Sequence, residues 1–423
     1  MIQRRSFLAI WACFVLARSV PIEAADSWPQ MRGPTGQGLS TARDVPIHWS
    51  TTDNVAWKIT VPGKGWSTPA LENGRIYVTT AVPVPPPDGS SRKPDQSLRA
   101  ICLDMASGET IWDEEVFLQD GETSPDVHAK NGFASPSPIV DNGQLFVHFG
   151  HEGIACLALN GHAIWKTHEL RYEPRHGNGG SPALFEDHLL VICDGADQQF
   201  TANLDRHTGD VKWKTARETD GELKFSFCTP LVIDVNGRKQ VISAGAHHAG
   251  GYDLETGESL WYVTYSGWSL VPRPVYGHGM VFFSTGYVTP QLFAVRPDGL
   301  GDVTDSHLAW SDNRSVCTNP SPLIVGDELY IMSDDGVLTC YDARTGDVHY
   351  RERIGGDHVA SPLYVDGRIY LLSERGQGTV VKCGLDFKSL ATNDLGERTF
   401  ASYVPFDGGL LIRSEDHLYR MGQ

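Results

Sequence analysis

Short apolar runs of three to six residues recur along this chain, cut by tight turns rich in Gly, Asn and Asp. The stretch 319–354 is the clearest unit. Asn319-Pro320-Ser321-Pro322 leads into the apolar run Leu323–Val325, and Gly326-Asp327 turns it back into Glu328–Met332. Residues 333–336 connect to a third run, 337–341, and Asp342-Ala343-Arg344-Thr345-Gly346 turns into a fourth that extends through Tyr350. Four short runs joined by tight turns predict one antiparallel sheet with strands A to D. In the last turn the Asp carboxylate can accept from free backbone N–H groups, and the Gly supplies a positive φ.

The unit repeats. A Ser-Pro-like step opens strand A at Ser181-Pro182, Ser321-Pro322 and Ser361-Pro362, with variants at Thr68-Pro69, Ser137-Pro138, Thr229-Pro230, Arg273-Pro274 and, degenerate, Ser402-Tyr403. Between Pro138 and Pro322 the steps are 44, 48, 44 and 48 residues. The Asp-to-Gly turn recurs at 104–108, 205–209 and 253–257, followed by Trp112, Trp213 and Trp261; Trp165 and Trp310 follow looser versions. These tryptophans are expected to pack between neighbouring sheets. A strand-rich repeat of this length points to an all-β, eight-bladed β-propeller of four-stranded blades. The last unit, 401–421, holds only three strands, whereas 54–59, around Trp57, reads as a fourth strand with no blade before it. Pairing that N-terminal strand with the last blade closes the ring and leaves no long exposed edge. The propeller is therefore expected over residues 54–423, after a lead-in at 26–53.

Composition narrows the partners. The 423-residue chain carries a formal net charge of −17, which disfavours nucleic acid or an anionic membrane surface as a partner. Residues 1–25 read as an export signal: Arg4-Arg5, the apolar run 7–17, then Ala24-Ala25. The string Arg4-Arg5-Ser6-Phe7-Leu8 is twin-arginine-like, which predicts an exported protein of the periplasm or cell envelope. No later run is long and apolar enough for a transmembrane segment. Of the cysteines beyond that leader, Cys102, Cys156 and Cys340 occupy matching repeat positions and read as small core residues. No Cys-x-x-Cys pair occurs, so no thiol redox pair or covalent haem is indicated.

With the repeat in view, Trp28-Pro29-Gln30-Met31-Arg32-Gly33-Pro34, Arg273-Pro274-Val275-Tyr276-Gly277-His278-Gly279, Arg296-Pro297-Asp298-Gly299 and 392–399 resemble segments of the exported PQQ-like repeat, or BamB-like, propellers of the quinoprotein alcohol dehydrogenase-like superfamily. The resemblance covers nearly all of 28–421. It implies a fold and an export route, with no established activity for this branch. The superfamily's enzymes bind pyrroloquinoline quinone (PQQ) with calcium in the channel mouth, beside an Asp base and a disulfide of adjacent cysteines. This chain has no adjacent Cys pair and no segment matching that Asp. No cofactor is expected on this reading; PQQ with calcium belongs only to the alternative, a quinoprotein dehydrogenase. The BamB-like members are binding scaffolds, and their resemblance implies a protein partner, with an extracytoplasmic glycan or small ligand as the other candidates.

Loops of unequal length on a regular scaffold are where function concentrates. The Pro-rich 83–97 insertion, the 118–132 connection, and the loops 172–180, 194–199 and 246–251 all belong to B–C or D–A connections, which share one face of a propeller. They bring His128, Lys130, Asn131, His151, Arg175, His176, Asn178 and Asp194 toward one side, together with His247 and His248. Arg273 replaces the small hydroxyl residue of other blades on the innermost strand, where it would either bind a carboxylate or phosphate in the channel or pair with an acidic neighbour. The histidines lack metal-ligand spacing, so polar rim residues are the plainer reading. Trp66, Tyr172 and Trp268 are candidate stacking platforms for a carbohydrate. Asp298-Gly299 and Asp302 lack the oxygen spacing of a calcium loop and read as a turn.

Overall fold

The computed structural model describes residues 27–86, 89–90 and 92–422; the leader expected at 1–25 lies outside them. Eight antiparallel sheets follow one another around a central channel: residues 70–119, 139–167, 183–216, 231–264, 275–312, 323–353 and 363–394, then the closing sheet. In that last blade Val55–Thr60 lies antiparallel to His417–Gly422, with Trp57 opposite Arg420, so the N-terminal strand closes the ring. Strands B and C pack on both faces and are buried along their length, as in His188–Asp194, whereas an outer strand such as Val55–Thr60 alternates between half-buried and exposed positions. Hence the inner strands read as continuous apolar runs and the outer ones as alternating.

The indoles join the blades. Trp57 Nε1 donates to Met105 O at 3.0 Å, Trp112 to Leu159 O at 2.8 Å, Trp165 to Arg206 O at 2.9 Å, Trp213 to Leu254 O at 2.9 Å and Trp310 to Ala343 O at 3.1 Å. Each acceptor lies in the next blade's C–D turn, and the turn glycine lets the ring approach. At Gly209, with φ +79°, an added Cβ would stand 2.6 Å from the Trp165 ring. Trp261 departs from the pattern and donates instead to Gln240 Oε1 of its own blade at 2.8 Å. The reason lies in the next blade: its C–D excursion is no simple turn, because Gly301–Asp302 pairs in parallel with Trp261 and Tyr262 as a fifth strand on blade four.

The Ser-Pro step has a physical explanation at the channel wall. Thr68 N donates to Ser137 Oγ at 2.9 Å, Ser137 N to Ser181 Oγ at 2.9 Å, and Ser181 N to Thr229 Oγ1 at 3.0 Å. Beyond Arg273 the series resumes with Arg273 N to Ser321 Oγ, Ser321 N to Ser361 Oγ and Ser361 N to Ser402 Oγ, each 3.0 Å, and Ser402 N returns to Thr68 Oγ1 at 3.2 Å. One interrupted circle of hydroxyl-to-amide bonds thus runs around the channel. The break falls at Arg273, which has no hydroxyl to offer the Thr229 N–H. Proline after every hydroxyl residue of the circle except Ser402 removes the next N–H and presets φ at the strand start.

The lead-in plugs one end. Trp28 and Leu71 exchange backbone hydrogen bonds at blade one, and Pro29 O accepts from Val140 N of blade two. Arg273 Nη1 of blade five donates to Met31 O at 3.1 Å, and Arg32 Nη2 donates to Pro322 O of blade six at 2.6 Å. Blades one and five face each other across an eight-membered ring, so the chain crosses the axis between Trp28 and Met31. Leu39–Ser40 then adds a parallel fifth strand to blade seven, and Arg43 O accepts from Gly408 N of blade eight.

Two predictions concern this ring. Ser181→Ala leaves the buried Ser137 N–H without its acceptor, a loss of about 1–3 kcal/mol; thermal melting of the variant should fall, and an unchanged midpoint would show the hydroxyl circle to be dispensable. The second concerns Glu397 beside the closing strand, where Lys58, Tyr419, Ser414 and His417 all donate to its carboxylate. Burial raises its pKa, but these partners outweigh burial and hold it down at about 2. A depressed carboxylate stabilises above its ordinary pKa and loses that contribution as pH falls toward the folded value. Glu397→Gln should therefore melt lower than the parent at pH 7, with the gap narrowing between about pH 4.5 and pH 2 as the parent's carboxylate becomes protonated.

Candidate functional site

The unplugged end of the channel is a cup of about 560 Å³. Its floor is Met31 of the lead-in with the hydroxyl residues Thr68, Ser137, Ser181, Ser361 and Ser402 of the circle. Its wall is aromatic. Trp66 packs against Phe400 at 4.4 Å between ring centroids, Phe225 against Phe227 at 5.8 Å, and Trp268 against Tyr287 at 6.0 Å. His176 links the groups, edge-on to Phe225 at 5.3 Å and to His128 at 5.6 Å. These rings come from D–A connections and, for Tyr287, from a B–C connection, so the regular sheets aim irregular loops at one opening.

Both charged groups lining the cup already have partners. Lys130 Nζ lies 2.5 Å from Glu374 Oε1 of blade seven. Nearby, Arg398 donates to Ala129 O at 2.9 Å and Trp66 Nε1 donates to Asn131 O at 3.3 Å. Together these bonds draw the 118–132 connection from the first and second blades toward the seventh. Asp334 accepts from Thr318 N, from Thr318 Oγ1 at 2.9 Å and from Asn319 Nδ2. The wall that remains for a ligand is apolar ring and uncharged polar edge.

The residues expected from sequence divide into three groups. His128, Lys130, Asn131 and His176 line the cup, as do Trp66 and Trp268. Arg175 and His151, with Tyr172 and again His176, line a shallower neighbouring groove. Burial and contact with Arg175 and His128 lower the pKa of His176, burial being the largest effect, so it is neutral at physiological pH.

Asn178 and Asp194 do not stand on the open rim, which corrects their expected placement, whereas Arg273 lies at the channel as its innermost strand predicts but, among the described residues, pairs with no acidic neighbour. Asn178 is buried and donates to Phe149 O at 3.0 Å and Phe133 O at 3.3 Å, tying a loop to its neighbour. Asp194 is buried against Arg217 at 2.5 Å, with Ser226 donating to the same oxygen. Arg273 lies beneath the floor, covered by the lead-in. The pair His247-His248 also separates: His247 Nε2 meets Leu223 O at 3.0 Å, while His248 is buried and stacked on Tyr262 at 5.0 Å.

Sequence reading missed Phe225, Phe227, Tyr287 and Phe400. A signal was present: an aromatic stands two residues before the hydroxyl step in Trp66-Ser67-Thr68, Phe227-Cys228-Thr229 and Phe400-Ala401-Ser402. Strand alternation turns a residue two positions upstream to the same side, so ring and hydroxyl both face the channel.

A family model described as outer membrane protein assembly factor BamB matches residues 39–181, 102–296 and 301–390. The chain belongs to this PQQ-like propeller family. Comparison with curated proteins gives no sequence match. Among solved structures it resembles BamB from Moraxella catarrhalis, with a TM-score of 0.59 at 12% identity over 87% of this chain and 97% of that one. It also resembles a europium-containing methanol dehydrogenase, at 0.69 and 11% over 95% and 99%. A quinohemoprotein alcohol dehydrogenase, ADHIIG of Pseudomonas putida HK5, gives 0.55 and 12% over 94% and 80%. At such identities the likeness is one of fold.

The fold is thus shared by an assembly factor and by alcohol dehydrogenases, and the donor set here bears on the difference. PQQ carries three carboxylates and shares a divalent cation with acidic ligands. The cup offers one ammonium and one carboxylate, each already engaged, and no cluster of three or more His, Cys, Asp or Glu is placed to hold a metal among the described residues. The cysteines among the described residues are free thiols, six of them buried. These residues do not fit the quinone and its cation. For Asp194, removing one partner of a buried ion pair strands the other charge, at a cost of about 3–5 kcal/mol. Asp194→Ala should consequently lower the melting temperature sharply, whereas a mere loss of ligand with normal melting would place Asp194 in recognition.

Proposed function

We propose that this protein is an exported, non-catalytic binding scaffold of the cell envelope whose recognition site is the aromatic cup on the loop-rich face. The observation that carries the reading is the cup itself: a channel closed at one end by the chain's own lead-in and walled at the other by paired rings, with its ammonium ion-paired and its carboxylate held by neutral hydrogen-bond donors. Such a wall favours a ligand with apolar faces and few charges. An extended segment of a partner polypeptide fits this, in keeping with the family's description as an assembly factor. A glycan is the second reading, favoured by the flat rings of Trp66 and Trp268 above a floor of hydroxyl groups, since sugars present C–H faces to rings and hydroxyls to hydroxyls.

Export rests on the twin-arginine-like leader and on the family. Among the described residues no helix is long and apolar enough to cross a membrane.

Titration of the mature chain with a panel of uncharged oligosaccharides and of extended apolar peptides, followed by tryptophan fluorescence, tests the reading. Trp268→Ala should weaken the ligand found by about tenfold, the worth of one ring contact of roughly 1.4 kcal/mol, while leaving melting unchanged. Binding indifferent to that substitution would move the site elsewhere. Dye reduction with alcohols in the presence of PQQ and calcium would replace the scaffold by an oxidoreductase.

A further inference from the structure

Beneath the floor of the cup lie two guanidinium groups with no acid to balance them. Arg32 and Arg273 are 2% and 3% exposed, and among the described residues neither is ion-paired. Arg32 Nη2 donates to the carbonyls of Gln37 and Pro322, and Arg273 Nη1 donates to Met31 O. Arg32 Nε and Nη1 and Arg273 Nε are buried and have no hydrogen-bond partner. The two groups feel each other: burial first, then the charge of Arg273, pulls Arg32 down to about 9, and burial alone pulls Arg273 down to about 10. Both groups remain cationic at neutral pH, in a place water reaches poorly.

A buried charge without a counter-charge is costly, and an orphaned donor on a buried guanidinium adds to that cost. Among the other buried arginines, Arg217 has Asp194 and Arg206 has Asp141 as counter-charge, although the Nε of each is also without a partner, and Arg413 lacks an acid but leaves no buried nitrogen unbonded; Arg32 and Arg273 combine both deficits. The carboxylate that lines the cup, Asp334, is turned to Thr318 and Asn319 instead.

We propose that the Arg32–Arg273 pair beneath the cup is a binding site for a small anion, a halide ion or a carboxylate group, which supplies the missing negative charge between lead-in and blade five. The site goes beyond the scaffold reading and stands whether the cup takes a peptide, a glycan or neither. It gives the Arg at the 273 step a use that the hydroxyl of other blades cannot serve. The anion pins Met31 and Arg32 across the axis, so its occupancy sets how firmly the plug is held.

Two measurements on the mature chain decide it. Crystals grown without halide and soaked in bromide should show an anomalous peak in contact with both guanidinium groups. Bromide absent from the pair but bound elsewhere in the same crystals would leave the carboxylate as the only source. In solution, the melting temperature should rise by several degrees as chloride or acetate replaces a bulky, poorly binding anion at constant ionic strength. A response to chloride assigns a halide, and a response to acetate alone assigns a carboxylate. Arg273→Ser, which restores the Ser-Pro step used by four other blades, should abolish the rise, and Arg273→Lys should keep part of it. A parent that responds to neither anion, or one whose response Arg273→Ser shares in full, overturns the proposal. Should Arg273→Ser fail to fold, the bromide map and Arg273→Lys still decide.

Discussion

Each innermost strand of the ring begins with a backbone N–H at the channel wall, where no strand of its own blade can accept it. At every step but that of Thr229 the hydroxyl of the next blade does so, from Thr68 round to Ser402 and back to Thr68. This bond sets the angular step between blades, because hydroxyl and amide must meet at about 3 Å each time. Outer contacts can vary around it: an indole docks on a glycine turn at five junctions, while Trp261 turns inward and a fifth strand fills the place. The inner circle tolerates one interruption, at Arg273, and there the lead-in supplies the substitute contact through Met31 O.

That interruption couples the plug to the cup. The lead-in crosses the axis just where the circle breaks, so the floor of the cup is Met31 on one side and ring hydroxyls on the other. A propeller without this segment would have a pore. With it, the chain has a blind cavity with a polar floor and an aromatic wall, a concave form suited to holding a ligand. The same crossing buries two cations, Arg32 of the lead-in and Arg273 of blade five.

The loop over the cup is held by long-range bonds. Lys130 pairs with Glu374 and Arg398 donates to Ala129 O from blades far apart in sequence, and the result is a loop arched toward the mouth with its lysine already ion-paired. Dehydrogenases with the same ring show how little the ring itself dictates. In this chain the cup is made by side chains of the D–A and B–C connections, which repeat symmetry does not constrain.

The eight-bladed ring, its closure by the strand at Trp57 and the packing of most tryptophans were legible in sequence, because each depends on contacts that recur once per repeat and so leave a periodic mark. The loop-rich face was legible too, since loops that depart from the repeat stand out against it, and His128, Lys130, Asn131 and His176 followed. Tertiary structure alone decided the course of the lead-in, the fifth strands at Leu39 and Gly301, and the burial of Asn178, Asp194 and Arg273. Each of these rests on a single pairing between segments far apart in the chain, as Asp194 with Arg217 or Arg32 with Pro322. A contact made once leaves no period to read, and whether a polar side chain faces water or a partner is fixed only when the distant partner arrives.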